Sequence, residues 1–415
     1  MAFSALSSRN YRLFFGGQGI SLIGTWMTQL ATVWLVYQLT DSAWWLGVVG
    51  FTSQIPSFVL APIGGALVDR WNTHRILVIT QTLAMIQSLA LATLALTHTI
   101  ALWQIICLSL FQGLINALDA PARQTFVREM VDRKEDLSSA IALNSSLFNG
   151  GRLIGPAIAG LVIARVGAGY CFLIDGISYV AVIAALLAMK IKPKKIAVQS
   201  NPWQRVKEGF SYAFNFSPIR SILLLLALFS LTAVPYMTLV PIFATKVLHG
   251  SAHTLGFLMA ASGIGALSGG LYLSTRRTVI GLGRIIAFAP AVCGMGIVVF
   301  ALSQVLWLSL LMSLIIGLGS ILAVASSNTV IQTIVEDDKR GRVMSLFTMA
   351  LLGMAPFGNL IAGSLASKIG APTTLIIGGI CCILGSLLFT RQLPTIRRLV
   401  RPIYTQAGII SAANS

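Results

Sequence analysis

The sequence predicts an all-α integral membrane protein of twelve transmembrane helices arranged as two pseudo-symmetric six-helix bundles. About a dozen apolar stretches of some 20 residues alternate with short hydrophilic loops, and about 20 helical residues are what a hydrocarbon core of ~30 Å requires. Basic residues fall almost entirely on every second loop, and short runs of the first half recur in the second.

The composition excludes a soluble domain. The 415 residues are 56% hydrophobic and only 10% charged, against about 25% charged in soluble domains. Mean hydropathy is +0.84. A formal charge of +17 would suit nucleic acid, but such a binder gathers its basic residues on one soluble face; here membrane loops carry them, so no nucleic-acid partner is expected. The five cysteines have neither metal-type spacing nor a disulfide framework, and no metal or cofactor is expected. Met1 to Arg12 lacks the features of a cleaved signal, so the first helix itself is expected to direct insertion.

The predicted spans are 13–39, 46–68, 76–96, 102–118, 139–164, 170–189, 221–244, 255–275, 285–302, 306–326, 343–366 and 373–390. Four domains follow: a bundle over 1–189, a cytoplasmic linker over 190–220, a second bundle over 221–390 and a cytoplasmic tail over 391–415. With the N-terminus inside, 25 of 29 basic residues lie on inside segments, which places both termini in the cytoplasm. The linker opens with Lys190, Lys192, Lys194 and Lys195 and continues into an expected surface helix over 203–214. Its charge reads first as an anchor beside anionic lipid.

The first span carries Gln18, Ser21, Thr25, Gln29 and Thr32 at steps of three or four. Such a stripe would lack hydrogen-bond partners in lipid and is expected to face the bundle interior. Trp26, Gln54 of the second span, Gln112 and Asn116 of the fourth, Asn149 of the fifth and Tyr236 of the seventh are candidates for the same cavity. Hydrogen bonding between helices is the alternative for each. As a set, amides and aromatics suit a bulky, largely apolar substrate. Arg152 is the one basic residue deep in a predicted span, at a cost of roughly 2.5–3.5 kcal/mol for a lone charge there, so a cavity role or a fixed pair is expected. Asp175 of the sixth span reads as helix packing or capping ahead of proton carriage, and Asp41 as a solvated loop acid. No carboxylate lies well inside any cavity-forming span.

Gln124-Thr125-Phe126-Val127 recurs as Gln332-Thr333-Ile334-Val335. Gly155, Gly160, Arg165, Gly167 and Ala168 align on Gly358, Gly363, Lys368, Gly370 and Ala371, each 203 residues later. A parallel six-helix repeat with a pathway between its halves is a common layout of secondary transporters.

After the second span the chain reads Gly65-Ala66-Leu67-Val68-Asp69-Arg70-Trp71-Asn72-Thr73-His74-Arg75. This resembles the signature loop of the major facilitator superfamily. The resemblance implies that Gly65 packs against the other half and that Asp69, with Arg70 and Arg75, forms a cytoplasmic latch. Asn72 and His74 depart from the glycine and basic residue usual there, which implies a weaker latch. Pro121-Ala122-Arg123, Gly151-Arg152-Leu153-Ile154-Gly155-Pro156, Phe172-Leu173-Ile174-Asp175 and Arg340-Gly341-Arg342-Val343 resemble the secretion-effector branch, which includes enterobactin exporters and macrolide efflux pumps. Arg123, Arg340 and Arg342 join the gating candidates on that ground. Gly155-Pro156 followed by Gly160 resembles an antiporter motif, with a gating role and a plain kink as alternatives.

The resemblance implies a secondary active transporter that exports an amphipathic, drug-like or siderophore-like small molecule by alternating access. It further implies energy from proton exchange, a monomer and residence in a bacterial inner membrane. A lysophospholipid translocator is the alternative within transport; a scaffold or sensor without transport is the alternative outside it. An enzyme is not expected: the four histidines lie in loops, and no nucleophile has a base beside it. No phosphate-binding Gly-Lys-Ser loop is present for ATP drive.

Overall fold

The computed structural model describes residues 4–131, 133–189, 210–276, 278–336, 339–406 and 409; the side chains of 61–66, 69, 70 and 134 lie outside the described residues. All regular structure described is helical. In order these are α1 (Arg9–Thr40), α2 (Ala43–Arg70), α3 (Thr73–Leu96), α4 (Leu102–Met130), α5 (Leu137–Val166), α6 (Ala168–Leu187) and α7 (Ser217–Thr232). They continue with α8 (Tyr236–Ile242), α9 (Ala252–Thr275), α10 (Leu282–Leu302), α11 (Leu306–Ile334), α12 (Arg340–Leu352), α13 (Ala355–Ile369) and α14 (Ala371–Gln406).

Twelve spans among the described residues are long and apolar enough to cross a membrane. Two of them are interrupted. The seventh, Ser217–Val247, breaks before α8 and ends in a π turn over Phe243–Val247. The eleventh breaks between α12, ending at Leu352, and α13, starting at Ala355, because Pro356 has no N–H to offer the carbonyl four residues back and its ring crowds that carbonyl.

Several helices outrun the predicted spans. α4 reaches Met130, not 118, α11 reaches Ile334, not 326, and α14 reaches Gln406, not 390. Hydropathy registers only the segment that lipid contacts, whereas a helix continues into the polar interface until a capping or breaking signal stops it. α14 thus carries Arg391, Arg397, Arg398 and Arg401 on a helix where a tail was expected. Of the expected linker helix, residues 210–215 are helical and 203–209 lie outside the described residues.

The chain divides into two compact units, Met1–Ser200 with Val240–Ala260 and Asn201–Leu239 with Ala261–Ser415. The first has a core of Tyr11, Phe14, Phe126, Met130 and Leu186; the second has one of Ile222, Leu226, Ile286, Ile331, Val343 and Phe389. Large side chains such as Trp307, Leu187, Ile177 and Leu302 stay exposed, as lipid-facing positions do.

Close helix contact rests on glycine. A methyl group on Gly17 of α1 would fall 2.9 Å from the Ala181 carbonyl oxygen of α6, and one on Gly294 of α10 would fall 2.5 Å from the Gly379 carbonyl oxygen of α14. Only glycine lets these backbones approach.

Candidate transport site

Arg152 is residue 16 of the 30 in α5, about 21 Å from either end by the 1.5 Å rise. It is half-buried, and its guanidinium carbon lies 6.0 Å from the centre of the Trp26 ring of α1, within cation–π reach. Two glycines of α5 make room for that ring. A methyl group on Gly155 would sit 2.5 Å from Trp26 Cβ, and one on Gly151 would sit 3.1 Å from Trp26 Cδ1. Phe148, half exposed, meets the ring edge-on with centroids 5.5 Å apart. Asn149 lies beside it, half-buried, and donates to the Ser145 carbonyl at 2.8 Å.

The other side of α1 faces an acid. Gly24 backs onto Asp175 of α6, and Thr28 donates to its Oδ2 at 2.9 Å. Ser88 of α3 donates to the same oxygen at 2.6 Å. Asp175 is only 2% exposed and ties three helices together. Trp26 and Thr28 are two residues apart, about 200° around the helix, so one helix presents an aromatic ring to a cation and a hydroxyl to a buried acid.

A second carboxylate, Asp119 of α4, corrects the expectation that none lies well inside a cavity-forming span. Asp119 falls inside α4 because that helix runs on to Met130, and it is 6% exposed. Its Oδ1 accepts from Thr80 at 2.9 Å and Gln81 at 2.7 Å; its Oδ2 pairs with Arg123 one turn on, at 2.5 Å. Arg123, a gating candidate, is held along its own helix by this pair. The sequence signal was an Asp-x-x-x-Arg spacing, hidden by the early helix end.

The remaining candidates scatter. Gln18 and Ser21 are buried, whereas Thr25 and Gln29 are exposed, so the polar stripe of α1 does not share one environment. Gln112 donates to Asn116 at 3.1 Å along α4, and Gln54 is half-buried. Tyr236 is 2% exposed, in the second unit, with its hydroxyl 2.7 Å from Ser313 Oγ and its ring edge-on to Phe300. That is a packed core residue, and no surface is left for a ligand. Pro156 is buried within α5, and its carbonyl oxygen lies where Gly256 of α9 leaves room; Gly160 and Gly256 face each other in the same crossing.

Of the expected latch, Gly65, Asp69 and Arg70 belong to α2 by backbone, but their side chains lie outside the described residues. Arg75 is exposed, and its backbone N–H donates to Asn72 Oδ1 at 3.1 Å. Asn72 therefore caps α3, which accounts for an asparagine at this place. His74 sits 2.8 Å from the Leu186 carbonyl oxygen at the end of α6. Arg340 and Arg342 open α12. Arg342 lines a cavity of about 810 Å³ in the second unit with Tyr212, Asn215, Lys339 and Val343; Lys339 reaches Glu336 at 2.6 Å and covers the Tyr212 ring at 4.6 Å.

One pair was not anticipated. Asp41, in the left-handed region at φ 46°, caps α1 and accepts from Lys246 Nζ at 2.9 Å, 205 residues away. Lys246 lies in the π turn. Its ammonium, then the Tyr37 hydroxyl, holds the Asp41 carboxyl below the usual carboxylate range.

Comparison with known proteins places this architecture. The chain is 27% identical over 379 residues to the staphyloferrin A transporter of Staphylococcus aureus, covering 91% of this chain and 95% of that protein. It is 23% identical to macrolide efflux protein A of Streptococcus pyogenes, covering 90% and 95%. The solved structure of a POT family transporter in complex with a thioalcohol-conjugated peptide superposes with a TM-score of 0.75 at 11% identity, covering 94% of this chain and 96% of that one; this similarity shows the fold. Residues 1–400 match the family described as transmembrane secretion effector, so the chain belongs to that family of membrane transporters and is not an enzyme.

Proposed function

We propose that this transporter exports an amphipathic organic molecule by alternating access between its two halves, driven by proton exchange, as a monomer in a bacterial inner membrane with both termini in the cytoplasm. The observation that carries the reading is the mid-span pair of Trp26 and Arg152, with Asn149 one turn before Arg152 on α5, in a chain of which about nine-tenths is matched by siderophore transport and drug efflux proteins. Gln29, Gln54 and Gln112 supply further polar contacts for the cargo. Gly155 and Pro156 form the sliding surface of α5. Gly65, Asp69, Arg70 and Arg75 act as the cytoplasmic latch, with Arg123, Arg340 and Arg342 at neighbouring helix ends.

Proton exchange needs a carboxylate or histidine that is alternately accessible. Asp119 and Asp175, both inside helices, are the groups to test. The experiment is untargeted mass spectrometry of cells and medium, comparing a deletion strain with an overproducing one, with and without a proton uncoupler. A compound that leaves the overproducing cells and stays inside when the uncoupler is added supports export. A shift confined to lysolipid pools would replace it with lipid translocation, and no shift at all would leave a scaffold.

A further inference from the structure

Arg152 and Trp26 place a fixed positive charge and an aromatic face side by side at mid-span, within one compact unit. We infer that the cargo of this site is an organic anion, a carboxylate-bearing amphipath whose acid group meets Arg152 while its apolar body lies along Trp26 and Phe148. The inference rests on the reading that this cluster is the transport site.

Three observations support it. The first is depth: the guanidinium is half-buried at about 21 Å from both ends of α5, where Coulomb interactions are stronger than in bulk water. A cationic cargo meets repulsion there, and an anionic one meets attraction. The second is order. Trp26 packs closely against Gly151, Gly155 and Phe148, so the ring has little freedom left to lose when a ligand arrives, which reduces the entropy cost of binding. The planar fork of arginine matches a carboxylate in two parallel hydrogen bonds. The third is the placement of the acids. Two buried acids of this unit are engaged by other groups, Asp175 by Thr28 and Ser88 and Asp119 by Thr80, Gln81 and Arg123. Asp175 lies across α1 from Trp26.

The test uses the purified full chain and three probes of one shape: naphthaleneacetate, naphthylethanol and naphthylethylamine. Binding is measured by calorimetry in detergent, and flux is measured in proteoliposomes. The expected result is roughly 10- to 100-fold tighter binding of the acid than of the amine, the range of one charge-assisted hydrogen bond. Arg152→Gln should abolish that preference, the acid losing roughly 10- to 100-fold in affinity and far more than the alcohol, and Arg152→Lys should keep part of it; unfolding curves in SDS–detergent mixtures confirm that each variant folds. Equal binding of acid and amine, no binding of the acid, or a preference that survives Arg152→Gln overturns the inference. Acid preference without flux of any probe would sink the transport reading and leave the anion site standing. Flux of all three probes unaltered by Arg152→Gln would do the reverse.

Discussion

The two units use the same backbone crossings with different side chains. In the first, Gly155 of α5 admits Trp26 of α1; in the second, Gly358 of α13 admits Leu231 of α7, where a methyl group would fall 2.6 Å from the Leu231 carbonyl oxygen. Three residues before each glycine stand Arg152 and Ala355. Asp175 of α6 is matched 203 residues later by Gly378 of α14, which backs onto the Thr232 carbonyl oxygen. Asp119 corresponds to Ser327 when Gln124 is set on Gln332. The second unit links its helices through neutral pairs, Tyr236 with Ser313, Thr238 with Asn359 at 2.9 Å and Ser221 with Gln392 at 2.6 Å. Among the described residues that unit forms these crossings through neutral pairs, so buried charge is not needed to build them, and the proposed function gives the charges of the first unit a use in recognition and coupling.

Substitutions can break or sharpen this contrast. The largest effect is expected where the units agree. Gly155→Leu and Gly358→Leu each force a side chain into the facing helix, so each should destabilise by about 3 kcal/mol, the upper end for overpacking; unfolding in SDS–detergent mixtures measures it. A large loss in one unit only would mean that the repeat is not structurally equivalent. Next comes Asp175→Leu, which strands the hydroxyls of Thr28 and Ser88. It should cost about 2 kcal/mol, whereas Asp175→Asn keeps an acceptor and should lose less than half of that in stability while abolishing uncoupler-sensitive export if Asp175 carries the proton.

Smaller again is Tyr236→Phe, the neutral counterpart in the second unit. It removes one hydrogen bond, worth about 0.6 kcal/mol inside a membrane protein, and should leave export intact; lost export with normal stability would return Tyr236 to the binding site. The smallest effect belongs to the exposed Asp41–Lys246 pair, worth below about 0.5 kcal/mol. Since pairing lowers the Asp41 pKa, its stabilisation is present above the unfolded value of about 3.9 and disappears as pH falls through the lower folded value. Hydrogen exchange over 243–250 should therefore quicken below about pH 4 in wild type and show no such step in Asp41→Asn.

Twelve spans and their order were legible because a bilayer imposes one length and one polarity on every crossing. The missed features follow from what that signal omits. Hydropathy ended the fourth span at 118, so Asp119 fell outside it. The Asn72 cap has the sequence form of an N-cap yet was set against a family glycine. The partners of Asp175 required knowing that α1, α3 and α6 meet, and Ser88 lies 87 residues from it. The pairing of Asp41 with Lys246 across 205 residues has no local signature. Arg152 stood out from the sequence because a charge at mid-span is expensive; that the ring beside it is Trp26 became visible only through the glycines that admit it.

Alternating access is the central claim, and the mid-span position of Asn149 on α5 offers the most direct test. A single cysteine at Asn149, in a chain otherwise freed of cysteine, can be challenged with a membrane-impermeant thiol reagent from each side of oriented vesicles, with and without the exported compound. The account predicts labelling from both sides, with the balance between them shifted when the compound is added. Labelling from one side only, whatever is added, in a protein that still carries flux would contradict it.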